Sequence, residues 1–222
     1  FISTIVLLPI GVFLTWKSTK DSSMFNLETY LIPIKKFFAK LSMKKNNITG
    51  STDGFLSRVG KPAIVFMGTP EFAVDSLRAL VEGGYRVAGV VTVPDKKIGR
   101  GQKTGTSPVK DYAVSQGLPL LQPESLKDPA FLQALSEWNA DMFVVVAFRM
   151  LPREVWTMPH MGTFNLHASL LPAYRGAAPI NWAVINGETS TGVTTFLLDE
   201  HMDTGSIIFQ EQVSIGPEED FG

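Results

Sequence analysis

Asn165 and His167 stand two residues apart in FNLHASLLPAYRGAAPIN, a largely apolar stretch from Phe164 to Asn181. On an extended strand, residues i and i+2 project to one face, so the two polar side chains lie together while Phe164 and Leu166 pack on the other side. An imidazole titrates near neutral pH and a carboxamide is a neutral hydrogen-bond donor, so such a pair can stabilise negative charge developing on a substrate oxygen. A lone histidine is commonly structural, and Asn165 is what argues for chemistry. The pair lacks an acid. Asp203, in HMDTG from His201 to Gly205, is the best candidate, because Thr204-Gly205 demands a turn that can aim a carboxylate back at the end of a sheet. Asp199 and Glu200 read as loop carboxylates in solvent, His201 as exposed, and His160, after Pro159, as a capping or packing residue. Directly beyond the pair, Leu170-Leu171-Pro172 must turn, since Pro172 has no amide hydrogen and disfavours helix at Leu171. The backbone amides just before Pro172 are expected to face a ligand.

The elements that must position these residues follow from periodicity. Ile64 to Met67 is a short apolar run closed by Gly68. Pro70 to Glu82 carries Ala73, Leu77, Leu80 and Val81 at helical spacing and ends at Gly83-Gly84. Val87 to Val93 is a second strand, Pro108 to Gln116 a helix, and Leu118 to Leu121 a short strand. Phe131, Leu132, Leu135 and Trp138 mark another helix, and Met142 to Phe148 is apolar throughout, which suits a central strand covered on both faces. This alternation is the rhythm of a parallel α/β sheet. Thr163 to His167 then places its polar pair at the carboxyl end of a strand, where open α/β sheets bind ligands. Gly192 to Leu198 and Ile207 to Ile215 are expected to be antiparallel strands at the end of the sheet.

The chain has 222 residues, 45% hydrophobic and 18% charged, with a net charge of -1, which is globular composition. Near-neutral charge argues against a whole-surface grip on nucleic acid and leaves room for a local basic patch. The absence of cysteine removes a disulfide framework, a thiolate metal site and a cysteine nucleophile, and fits a reducing, cytoplasmic setting. Phe1 to Trp16 is apolar but broken by Pro9 and Gly11, short of the roughly 20 residues of a spanning helix, and lacks the flanks of a signal peptide. Residues 1–60 are therefore read as an extension outside the fold, with a start at Met43 and a polar linker from Lys44 to Arg58; no membrane is expected for residues 43–222. The working domain is placed at residues 61–222. Its last residues, GPEEDFG, read as the first turn of an unfinished helix, so the chain is taken as a fragment.

Pro94 to Thr106, PDKKIGRGQKTGT, reads as a loop from its glycines and charges. Lys96, Lys97, Arg100 and Lys103 make it either a solvated charge run or a segment that orders against a polyanion. It contains neither G-x-G-x-x-G nor G-x-x-x-x-G-K-[ST]. Gly68-Thr69-Pro70 holds one glycine where a dinucleotide fold would carry its fingerprint, which argues against a nucleotide-dependent oxidoreductase. Arg175 reads equally as an ion-pair partner or a substrate contact.

NLHASLLPAYRGAAPINWAVINGETSTGVTTFLLDEHMDTG resembles the formyltransferase signature, and together with FMGTPEFAV and PDKKIGRGQKTGTSPVK it is similar to the methionyl-tRNA formyltransferase family. The resemblance runs roughly from Pro62 to Gly222. It implies a Rossmann-like α/β domain with a mostly parallel sheet and antiparallel strands at its end, truncated before the tRNA-binding C-terminal domain. It further implies a monomer that uses 10-formyltetrahydrofolate as formyl donor, initiator methionyl-tRNA as acceptor, and no metal. Asn165 and His167 would donate to the formyl oxygen, and Asp203 would orient the imidazole, favour its charged form and help remove the amine proton. Ser169, Leu170, Leu171 and Pro172 would form the folate-contacting turn, and Lys96, Lys97, Arg100 and Lys103 would meet tRNA, with Arg100 leading. Phe148-Arg149 stands where many relatives carry Tyr-Gly, leaving the backbone of that loop as the folate contact. The alternatives are a related folate-dependent formyltransferase or formyl-folate hydrolase with a non-tRNA substrate, or an inactive fragment.

Overall fold

The computed structural model describes residues 61–98 and 103–217. The extension, the Met43 start, Arg100 and the acidic last turn lie outside the described residues. In chain order the elements are β1 (Ala63–Gly68), α1 (Glu71–Glu82), β2 (Arg86–Val91), β3 (Lys96–Ile98), β4 (Lys103–Gly105), α2 (Pro108–Ser115), β5 (Leu120–Leu121) and α3 (Pro129–Glu137). There follow β6 (Met142–Val146), α4 (Arg153–Trp156), β7 (Thr163–His167), α5 (Pro179–Ile185), β8 (Ser190–Leu197) and β9 (Ile207–Ser214).

Seven strands form one sheet in the order β5-β2-β1-β6-β7-β8-β9. The five from β5 to β7 are parallel, and β8 and β9 close the edge antiparallel. The chain steps outward from β1 to β2 and β5, then crosses back to β6 on the other side of β1. Strand order therefore reverses between β1 and β6, and at such a switch point the connections diverge and leave a crevice beyond the carboxyl ends.

Strict alternation explains why the central strands are apolar throughout. Ile64, Phe66, Met142, Val144, Val146, Phe164 and Leu166 pack with Ala73, Leu77 and Leu80 of α1 and with Val109 and Ala113 of α2. Val65, Met67, Phe143 and Val145 face the opposite layer, formed by Phe131 and Leu135 of α3 and Val155 of α4. Asn165 is the register partner of Val145, so Asn165 and His167 project on this second side. The helices begin where the residue types allow. Ser107 Oγ accepts from the Lys110 amide at 3.1 Å ahead of Pro108, and Asp128 accepts from the Ala130 amide at 3.0 Å ahead of Pro129.

The basic stretch expected to be loop instead contains a two-stranded antiparallel ladder, with Lys96 opposite Gly105 and Ile98 opposite Lys103. Its strands are three residues each, too short for a period-two pattern to announce them. The four-residue α4 and seven-residue α5 are likewise too short for a helical period to stand out. Among the described residues no helix is long and apolar enough to cross a membrane.

Phe66 is fully buried at the centre of the first core layer. Phe66→Ala is expected to cost about 3–5 kcal/mol in urea denaturation. Val114→Ala, at an exposed position of α2, should shift the midpoint far less; equal shifts would contradict the assignment of the core.

Candidate functional site

The carboxyl end of β7 carries His167, whose side chain is only 8% exposed. Its Nε2 lies 2.8 Å from the carbonyl oxygen of Tyr174. A carbonyl only accepts, so Nε2 carries the hydrogen and donates, which turns Nδ1 toward Asp203. Asp203 Oδ2 stands 3.8 Å from Nδ1, beyond hydrogen-bond reach. The Tyr174 carbonyl thus orients the ring, with the Asp203 carboxylate facing its other nitrogen.

The same short segment holds the acid. The Gly176 amide donates to Asp203 Oδ2 at 2.8 Å and Arg175 Nε donates to the Asp203 carbonyl at 3.0 Å. Arg175 is therefore a backbone anchor for Asp203, the role neither sequence reading gave it. Tyr174 has φ 54° and Gly176 φ 88°, so two left-handed residues aim consecutive polar groups inward. The Tyr174 hydroxyl donates to Glu188 Oε1 at 2.6 Å and accepts from Asn186 Nδ2 at 3.1 Å, and the bond to Glu188 raises the phenol above its usual range.

Asp203 itself adopts φ 53° in the turn between β8 and β9. The turn lies where Thr204-Gly205 placed it, but glycine is needed at 205 for space: a Cβ there would sit 1.6 Å from the carbonyl oxygen of Leu197. Asp199 is a builder of this turn, accepting from the His201 amide and the Thr204 hydroxyl, both at 2.9 Å. Glu200 pairs with Arg153. His201 is exposed, and His160, expected to cap or pack, is 72% exposed with Nδ1 3.8 Å from Asp141.

Asn165 is half-buried, and its carboxamide has no hydrogen-bond partner among the described residues. Its backbone lies in the ladder between Val145 and Phe196, so the side chain is fixed in direction while its donors stay free.

The turn after the pair is tied from beneath. Ser169 is fully buried, with its hydroxyl donating to the Ala173 carbonyl at 2.7 Å. Thr194, the register partner of His167, donates to the Ser169 carbonyl at 2.6 Å and accepts from the Leu171 amide at 3.0 Å. Gln210 Nε2 donates to Thr194 Oγ1 at 3.0 Å and to the Leu171 carbonyl at 2.8 Å. Of the backbone amides before Pro172 expected to face a ligand, that of Leu171 is instead spent on Thr194. Leu171-Pro172 is a cis peptide; Leu170 remains half-buried and Pro172 exposed. Tyr174, Thr194 and Gln210 escaped the sequence reading, because residue type does not encode bonds to backbone carbonyls.

On the loop after β6, Arg149 donates through Nη1 to the Glu124 carbonyl at 2.9 Å and through Nη2 to the Pro123 carbonyl. Its Nε is buried without a partner among the described residues, and burial lowers the guanidinium pKa, with the Glu124 charge opposing. Of the basic residues, Lys96 and Lys97 are exposed on β3 and Lys103 stands on β4, whereas Arg100 lies outside the described residues. The ladder's root is fastened by Asp95, which pairs with Lys110 and accepts from Gln122 at 2.8 Å. Two surface clefts of about 340 and 270 Å³ lie between α1 and α2 and beside α3, and His167 lines neither. Among the described residues no cluster of three or more His, Cys, Asp or Glu is arranged to hold a metal.

Fold and site define a doubly wound α/β domain with a polar cluster on the strand next to its switch point. The chain belongs to the formyl transferase family, whose model matches residues 61–222. It is 69% identical over 152 residues to a curated methionyl-tRNA formyltransferase of Bacteroides thetaiotaomicron, covering 68% of this chain and 47% of that protein. It is 66% identical over 158 residues to that of Parabacteroides distasonis, covering 71% and 49%. The chain thus spans about half the length of the curated relatives it matches. A solved phosphoribosylglycinamide formyltransferase from Bacillus halodurans superposes with a TM-score of 0.59 at 25% identity, covering 71% of this chain and 82% of that one. A glycinamide ribonucleotide transformylase from Geobacillus kaustophilus gives 0.56 at 27%, covering 72% and 86%.

Two outcomes follow from this geometry. Gly205→Ala must push the turn off Leu197; a stability loss of about 1–3 kcal/mol is expected in urea, together with changed NMR shifts of the His167 ring, and an unperturbed ring would show that Gly205 does not set the position of Asp203. The hydrogen bond from Lys110, and then that from Gln122, lower the Asp95 carboxyl below its ordinary 3.8. Its folded pKa lies below the unfolded value, so its contribution is complete above 3.8 and is lost as pH falls through the folded value. Asp95→Asn should therefore flatten the acid limb of a Tm-against-pH curve, and an unchanged limb would refute the assignment.

Proposed function

We propose that residues 61–222 form a catalytic domain that transfers a formyl group from 10-formyltetrahydrofolate to the α-amine of initiator methionyl-tRNA, as a cytoplasmic monomer. The observation that carries this reading is the half-buried Asn165, whose carboxamide is unpaired among the described residues, on the same strand face as His167, with Asp203 at 3.8 Å from the ring. The identity of 66–69% to relatives bearing that activity as their name supports the acceptor.

The surroundings suit the donor. Phe148 is half-buried and Met150 is 72% exposed on the loop after β6, beside the end of β7. Leu170 and Pro172 add apolar surface from the turn after His167, while Ser169 and Leu171 act from beneath by holding that turn. A flat heteroaromatic ring needs apolar walls of this kind with a few backbone polar groups between them.

The donor supplies an electrophilic formyl carbon. Asn165 donates to the formyl oxygen as negative charge gathers on it. His167 Nε2 exchanges the neutral Tyr174 carbonyl for this more negative acceptor, a charge-assisted bond of greater strength. As the amine nitrogen bonds the formyl carbon, the carbon's bond to the donor's N10 breaks; Asp203 accepts the proton that the attacking amine loses, directly or through water, and that proton passes to the departing N10 of tetrahydrofolate.

The first turn of α1 bears on the acceptor class. Pro70 at its N-cap offers no amide hydrogen and Glu71 follows, so this helix start is a poor seat for a substrate phosphate. That argues against a small phosphoribosyl acceptor. Lys96, Lys97, Arg100 and Lys103 offer phosphate contacts to a larger polyanion instead.

The test is incubation of the chain with formyl donor and methionyl-tRNA, beside a sugar-nucleotide amine and a no-acceptor control. Formylmethionyl-tRNA is expected; a formylated sugar, or formate released without acceptor, would replace the reading, and donor binding without any transfer would identify an inactive fragment. Asn165→Ala and His167→Ala should each lower kcat by about 10²–10³, or roughly 2.7–4 kcal/mol, with unchanged circular dichroism. A near-normal rate in either would remove that residue from the chemistry.

A further inference from the structure

The geometry points to Arg149 as a positioning residue for the formyl donor, acting by clamping the segment after β5 across the crevice at the switch point. The inference rests on the formyl-transfer reading above. In the sheet, β2 and β1 stand between β5 and β6. Three strand spacings of about 4.8 Å separate β5 from β6, roughly 14 Å in all. Yet Arg149, three residues beyond β6, bonds the carbonyls of Pro123 and Glu124, two and three residues beyond β5. The loop after β6, the arginine side chain and residues 122–124 together bridge that gap past the ends of β2 and β1, and the guanidinium closes the bridge.

Two further observations separate this contact from an incidental surface bond. The guanidinium reaches two consecutive carbonyls with its two terminal nitrogens, a fork that a lysine cannot reproduce. It also carries an unfavourable burial, since Nε is enclosed without an acceptor and burial works against its charge. At the far end, Gln122 Nε2 donates to the Val93 carbonyl and to Asp95, each at 2.8 Å. The loops after β2, β5 and β6 are thus joined into one band along the carboxyl edge, with Arg149 as the bond nearest β7. None of the hydrogen bonds described for Arg149 reaches Asn165, His167 or Asp203. The band bounds the space beside Phe148 and Met150, where the donor's ring is placed, and leaves the reacting groups alone. Arg149 sets the width of that space.

The experiment compares the full 222-residue chain with its Arg149→Ala and Arg149→Lys variants. It measures affinity for 5-formyltetrahydrofolate by calorimetry, donor KM and kcat, and amide hydrogen exchange across residues 120–126, with Tm as a check on folding. Arg149→Ala is expected to weaken donor affinity and raise donor KM by about tenfold to a hundredfold, to leave kcat at saturating donor within about twofold, and to speed exchange at residues 122–124. Arg149→Lys should recover only part of the affinity, and it carries the test if the alanine variant does not fold. Faster exchange with unchanged donor affinity would overturn the positioning role, as would a fall in kcat with donor KM unchanged. A wild-type chain that binds no 5-formyltetrahydrofolate would instead overturn the formyl-transfer reading, with the exchange difference still reporting on the clamp.

Discussion

The hydrogen bond from His167 Nε2 to the Tyr174 carbonyl is the constraint on which the site depends. A buried imidazole without a partner costs free energy, and this carbonyl both satisfies the ring and fixes which nitrogen holds its hydrogen. Once that is settled, Nδ1 faces Asp203 and the tight segment of Tyr174 and Gly176 brings the Gly176 amide onto the same carboxylate. One bond thereby sets the position of two side chains 36 residues apart in sequence, His167 and Asp203. The Tyr174 side chain is held in turn by Glu188 and Asn186 beyond α5, so the carbonyl's direction is fixed from outside the cluster.

Beneath this lies a second fixed point, the Thr194 hydroxyl. It donates once and accepts twice, which exhausts a hydroxyl's capacity, and all three partners belong to the turn after His167 or to β9. Because Thr194 pairs with His167 across β7 and β8, the antiparallel edge of the sheet does more than finish the fold. β8 is reached from β7 through residues 168–189, which carry the Tyr174 segment and α5, and β9 follows β8 through the turn 198–206. Asp203 sits in that turn, beside the strand that pairs with β7, which is why an acid so distant in sequence meets the histidine.

Much of this was legible in the sequence where burial drives structure. Phe164 and Leu166 alternate with Asn165 and His167, and that period alone put the polar pair on one face. The strands β1, β6 and β7 and the helices α1 and α2 announced themselves through apolar spacing, prolines and capping residues. What was not legible is held by backbone carbonyls. The carbonyls of Tyr174, Ser169, Leu171 and Pro123 decide the orientation of His167, Thr194, Gln210 and Arg149, and no residue type marks a carbonyl that will be used. The β3–β4 ladder escaped for a related reason, since its three-residue strands are held by backbone pairing that no residue type marks. Arg149 was visible as a departure from the expected Tyr-Gly, but its partners lie about 25 residues earlier, across two intervening strands.

On the proposed reading, the placement of positive charge bears on how a large acceptor and a small donor would share one edge. The basic ladder follows β2, and β1 and β6 separate β2 from β7. At about 4.8 Å per spacing, the root of the ladder is roughly 14 Å from the strand that carries His167. A phosphate gripped at Lys96 or Lys97 therefore belongs to a part of the acceptor well removed from the reacting amine, as on the proposed reading it would in a long polyanion. The α1 N-terminus sits between these two places and is turned against anions by Pro70 and Glu71. On the proposed reading the donor's ring is then held chiefly by shape and apolar walls, and the spacing of those walls, which the proposed Arg149 clamp would set, becomes the controlling variable.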